Sequence, residues 1–175
     1  VTNATGTAIT ANSALFRVSG DASKMIGGAI DSGTYDMSVV FTNCKAEVNA
    51  VASTHGFFLQ DCRGVTLNNC EASGAPTGYA GLIAGNSVGH LKINGGKFVN
   101  NAGYGLSLSS SGFEPVQPSV KGAFFANNVQ FDIHISSKGG KIEDCTFGPD
   151  SAVISTSAYN IYAGTAAEYI HVQNN

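Results

Sequence analysis

Thr42-Asn43-Cys44, Asn68-Asn69-Cys70, Asn94-Gly95-Gly96, Lys121-Gly122-Ala123 and Glu143-Asp144-Cys145 are five versions of one short motif, a turn residue followed by a small one. From Cys44 through Cys70, Gly96 and Ala123 to Cys145 the steps are 26, 26, 27 and 22 residues. Self-similarity at this spacing, in a chain of alternating apolar residues with few helix caps, marks a coil that climbs and stacks on itself. The motif therefore predicts an all-β fold, a right-handed single-stranded parallel β-helix, which is a solenoid, of about six coils.

Two families of strands flank the motif. Val39-Val40-Phe41, Val65-Thr66-Leu67, Leu91-Lys92-Ile93, Val120, Lys141-Ile142 and Ile170-His171-Val172 precede it, and their alternation places one set of side chains inside and the other in solvent. Two residues past the small position stand Ala46, Ala72, Phe98, Phe125 and Phe147, predicted as one column of core. Asn43, Asn69, Gly95, Gly122 and Asp144 are of the types that best tolerate the left-handed backbone of a sharp bend. The second family is Phe57-Phe58-Leu59, Leu82-Ile83-Ala84, Leu106-Ser107-Leu108, Ile133-His134-Ile135 and Ile161-Tyr162-Ala163. Because a one-residue slip would turn every side chain inside out, two families that keep step argue strongly for the coil.

The ends and loops are less regular. Residues 1–35 are expected to form an entry or cap with a poorly phased first coil, in which Leu15-Phe16-Arg17-Val18 and Ala29-Ile30 could make one further turn, and 36–175 form the β-helix. The stretch Ser109 to Pro118 holds two of the 4 prolines and is expected to leave the cylinder as a rim. The last residues, Ile170 to Asn175, start a coil and stop where the small inward residue is due, so the chain reads as a fragment or as a piece that takes its cap from a neighbour.

Composition narrows the function classes. Only 12% of the 175 residues are charged, against roughly 25% in average proteins, and a net charge of −3 with 9 Lys+Arg leaves no basic stripe for nucleic acid. No apolar run is long enough to cross a bilayer, and no charged-then-apolar leader is present. The 4 cysteines lack the short paired spacing of zinc sites, so no metal and no cofactor is expected. Cys44, Cys70 and Cys145 share the small inward position and read as stacked buried thiols, while Cys62, beside Asp61 and Arg63, reads as a turn residue.

With the Asn-Asn-Cys turns, the paired asparagines Asn100-Asn101 and Asn127-Asn128, the Gly-rich second strands and the low charge in view, the chain resembles the parallel β-helix superfamily of pectate-lyase-like proteins, and within it the tailspikes of bacteriophages. The resemblance covers about residues 36 to 175. It implies a partner that is an acidic or O-antigen-like polysaccharide, an assembly as a homotrimer of parallel helices, and a location outside the cell or on the virion surface. It transfers no catalytic residue, because fold does not set function.

Candidate chemistry rests on the residues themselves. Phe58, Ile83, Ser107, His134 and Tyr162 form the outward column of the second family, and Gly56, Gly81, Gly105, Asp132 and Asn160, two residues earlier, are expected on the same face. Asp132, His134, Asn160, Tyr162 and Ser107 would then make one patch, with His134 as base, Tyr162 as acid and Asp132 orienting the imidazole. A His beside an Asp on a solvated face is more commonly a plain polar pair. Ser107, Asn160 and outward Phe124 are the candidate substrate contacts, and Phe58 with Ile83 suits protein contact better. Lys45, Glu71 and Lys97 on successive coils read as a surface ion ladder, and the remaining acids offer no convincing pair for glycoside hydrolysis. His55, His90 and His171 are isolated and read as structural or solvated. The expected function is polysaccharide recognition, with hydrolysis, elimination and binding without cleavage all open; the alternative is a non-catalytic carbohydrate-binding module or a structural stalk or adhesin segment.

Overall fold

The structure is a computed structural model and describes residues 13–19, 39–48, 54–109, 117–148 and 159–175. Every element in it is a strand. β1 (Ser13–Ser19) comes first, followed by a rung of β2 (Val40–Thr42), β3 (Lys45–Glu47) and β4 (Thr54–Arg63). The next rungs are β5 (Thr66–Asn68), β6 (Glu71–Ser73), β7 (Ala80–Gly89), and then β8 (Lys92–Asn94), β9 (Lys97–Val99), β10 (Tyr104–Ser109). β11 (Ser119–Lys121), β12 (Phe124–Ala126), β13 (Phe131–Ser136) and β14 (Lys138–Glu143), β15 (Thr146–Phe147), β16 (Tyr159–Ala163) continue the series, and β17 (Glu168–Gln173) ends it.

These strands stack into three parallel sheets. The first runs β1-β4-β7-β10-β13-β16, the second β17-β14-β11-β8-β5-β2, and the third β15-β12-β9-β6-β3. Each step within a sheet is one circuit of the chain, so the molecule is a parallel β-solenoid of about 4 turns. The sequence suggests about six because the stretches at Leu15–Val18 and Ile170–Val172 look like further coils. Among the described residues each adds a single strand, β1 to the first sheet and β17 to the second. The third sheet is also a finding, since its strands are only two or three residues long.

The register agrees with the spacing of the turn motif. Phe41, Leu67, Ile93, Val120 and Ile142 stand opposite one another in the second sheet, and Phe57, Leu82, Leu106 and Ile133 in the first. Ala46, Ala72, Phe98, Phe125 and Phe147 align in the third, where the last three rings stack at centroid spacings of 5.7 and 5.4 Å. These columns, with Cys70, Ala123 and Cys145, form one continuous apolar core. The five bends predicted from the motif all have a left-handed backbone, with φ of 53° at Asn43, 50° at Asn69, 67° at Gly95, 65° at Gly122 and 54° at Asp144. A side chain with a β-branch would be strained there, which explains the repeated Asn, Asp and Gly.

All four cysteines are free thiols. Cys62 is not in a turn: it lies within β4 opposite Val88, 1% exposed, because β4 extends past a register shift between Gln60 and Cys62. Of the predicted ion ladder, Glu71 does align with Lys45 and Lys97, and Lys97 reaches it at 3.8 Å, whereas Lys45 pairs with Glu47 at 2.5 Å. Both pairs are exposed and contribute little to stability. The expected cap in 1–35 lies outside the described residues apart from β1, and so do Ala29-Ile30 and positions 110–116 of the expected rim.

Candidate functional site

Sheet register brings Phe58, Ile83, Ser107, His134 and Tyr162 side by side on the outer face of the first sheet, as the sequence predicts. Ser107 is only 6% exposed because its larger neighbours in register, Ile83 and His134, close over it. Tyr162 is 40% exposed, and its ring centroid lies 5.6 Å from that of His134. Burial pushes the His134 imidazole below its ordinary pKa of 6.5, so it is neutral near pH 7.

Asp132 is not part of that outward patch. It is 4% exposed, and its carboxylate accepts a hydrogen bond from Asn128 Nδ2 at 2.6 Å. The reason is a break in the alternation at the corner between the third and first sheets. Gly56, Gly81 and Gly105, predicted outward, all turn inward here. A Cβ on Gly105 would lie 2.9 Å from Asn128 Nδ2 and 3.2 Å from Phe125 Cδ1, and one on Gly81 would lie 3.1 Å from Asn101 Nδ2. In β13 both Asp132 and Ile133 are consequently buried, one against the asparagine corner and the next in the apolar core.

The same break swings the preceding aromatic residues outward. Tyr104 and Phe131 are in register, and their rings stack at 5.7 Å. Tyr104 also stacks on His134 at 5.6 Å, and Phe131 on Tyr162 at 4.6 Å with the planes 10° apart. Four rings on three strands thus form one cluster, in which each close pair contributes about 1 kcal/mol beyond its buried area. Sequence reasoning missed Tyr104 and Phe131, which stand in neither of the predicted strand families. A signal was present: Tyr104, Phe131 and Tyr159 precede Ser107, His134 and Tyr162 by three residues each. A smaller group, His55 with Tyr79 at 4.9 Å and Phe58 at 5.8 Å, lies toward the other end of the sheet.

The remaining predicted contacts divide. Asn160 is exposed on β16, two residues before Tyr162, and belongs to this face. Phe124 does not. It lies on β12 in the third sheet, between Lys97 and Thr146, so its outward direction leads to a different side of the solenoid. Among the described residues no group of three or more His, Cys, Asp or Glu could hold a metal ion, and no helix is long and apolar enough to cross a membrane.

These features define a parallel β-solenoid carrying an aromatic and hydroxyl-lined face on one sheet. No family model matches the chain, and no curated protein or solved structure matches it either.

Proposed function

We propose that this chain is the polysaccharide-recognising part of a pectate-lyase-like parallel β-helix, of the kind found in bacteriophage tailspikes, and that it binds glycan on the first sheet without cleaving it. The observation that carries the reading is the cluster of Tyr104, Phe131, His134 and Tyr162 beside exposed Asn160. Aromatic surface beside hydroxyl and amide groups suits a sugar, whose C–H faces pack on rings while its hydroxyls form hydrogen bonds. Binding is favoured over cleavage because hydrolysis needs two carboxylates across the scissile bond, and the carboxylate of β13, Asp132, is turned inward onto Asn128. The reading places the protein outside the cell or on a virion surface, as a trimer of parallel coils.

Affinity electrophoresis and calorimetry against bacterial capsular and O-antigen polysaccharides test it. Retardation by at least one glycan is expected, with no release of reducing ends and no unsaturated product. Tyr162→Ala and His134→Ala should each weaken binding by about tenfold, equivalent to about 1.4 kcal/mol. Unchanged affinity in both variants, with unchanged circular dichroism, would move the site off this sheet. Steady product release would restore the enzyme reading.

A further inference from the structure

Charge is partitioned among the three sheets. The ion pairs Lys45–Glu47 and Lys97–Glu71 stand on the third sheet, and Lys138–Glu168 and Lys141–Glu143 on the second. Lys121, also on the second, reaches Asp144 in the bend that follows β14. Lys92 projects from the second sheet as well, in β8. The first sheet carries Arg17 in β1 and Asp61 and Arg63 in β4 toward one end; among the described side chains of β7, β10, β13 and β16, Asp132 is the one charged residue, and it is buried. The outer face of β7, β10, β13 and β16 therefore presents rings, hydroxyls and amide groups to solvent, with no formal charge among the described side chains.

That face is also open. Ser109 and Ser136 are paired in register, and a Cβ built on Gly85 would meet no atom within 4 Å. Small residues thus lie beside the wall formed by His134 and Tyr162. A hydroxyl-rich sugar finds donors and acceptors here and an apolar surface for its C–H groups. Among the described side chains of these four strands a uronate or sulfate finds no cation, and burial disfavours the charged form of His134. Bringing an anionic group against such a surface costs solvation that nothing returns.

We infer that the face of β7, β10, β13 and β16 selects a neutral polysaccharide and discriminates against uronate- and sulfate-bearing chains, an inference that rests on the glycan-binding reading above. This departs from the acidic glycan that the superfamily resemblance allows.

The test presents the whole chain with an array of neutral and acidic bacterial surface polysaccharides, together with dextran, galactomannan, polygalacturonate and dextran sulfate, at low and high salt. Neutral glycans should be bound preferentially, with affinity changing less than about twofold between the two salt conditions, since no ion pair is there to be screened. Tyr162→Ala should lower that binding. Ser109→Lys, which adds a cation to the face, should raise retention of polygalacturonate at low salt and lose it at high salt. Stronger, salt-sensitive binding of acidic chains by the unaltered protein would overturn the selectivity while leaving glycan recognition standing. Binding of no glycan at all would overturn both.

Discussion

Asn128 joins two rungs with one amide. Its Oδ1 accepts from Asn101 Nδ2 at 2.8 Å, and its Nδ2 donates to the Phe98 carbonyl at 2.8 Å and to Asp132 at 2.6 Å. Asn101 in turn accepts from the Ala75 backbone N–H at 3.0 Å, so a buried polar ladder runs along the corner where the apolar column cannot satisfy the backbone. His55 does similar work in the first sheet. It is 4% exposed, and its Nδ1 accepts from the Ala80 N–H at 3.0 Å, which places its proton on Nε2. Desolvation by burial lowers its pKa from 6.5 to about 4. The unfolded chain therefore takes up a proton before the folded one. Stability is fully present above pH 6.5, falls as pH drops toward 4, and levels off below. The loss amounts to roughly 3 kcal/mol. Urea denaturation from pH 7 to 4 should show this slope, and His55→Asn, which keeps an acceptor but cannot titrate, should flatten most of it. An equal slope in the variant would assign the acid sensitivity to other groups.

At the scale of the element, two kinds of glycine do different work. Gly81 and Gly105 line the corner, and a Cβ on Gly105 would sit 2.6 Å from the Asp132 carbonyl of the next rung. That contact is with backbone, so Gly105→Ala must push two strands apart and should destabilise by about 2–3 kcal/mol. Gly122 is a bend residue with φ 65° and nothing within 4 Å of its would-be Cβ, so it needs conformational freedom rather than space. Gly122→Asn should therefore be tolerated within about 0.5 kcal/mol, since Asn tolerates the left-handed region and already occupies the equivalent bends at Asn43 and Asn69. Denaturation midpoints of the two variants compare the mechanisms directly, and equal losses would show that the distinction between crowding and φ is wrong. Gly122 and its equivalents were legible from spacing alone. Gly105 was not, because its inward direction depends on Asn128 and Phe125 of the rung above, residues 23 and 20 positions later in the chain.

At the scale of the molecule, stability is built from nearest-neighbour stacking, so each rung is held mainly by the rungs beside it. β7, β10 and β13 are hydrogen-bonded on both sides, whereas β16 and β17 have a strand on one side among the described residues. Consistent with this, Tyr169 is 87% exposed and Val172, at an inward position of β17, is 49% exposed. Hydrogen exchange should find amides of β10 protected at least tenfold, or about 1.4 kcal/mol, beyond those of β17. Equal protection would show that the far end of the stack is covered.

The coil, its inward columns and its left-handed bends were determined by the sequence itself, because strand alternation and turn tolerance are local properties that simply recur once per circuit. Tertiary structure alone decided the third sheet, the inward turn of Asp132 and the aromatic cluster of Tyr104, Phe131, His134 and Tyr162. At a corner the pleat no longer dictates direction. Which way a side chain points there is settled by the residues of adjacent rungs, and only the stacked coil brings those together.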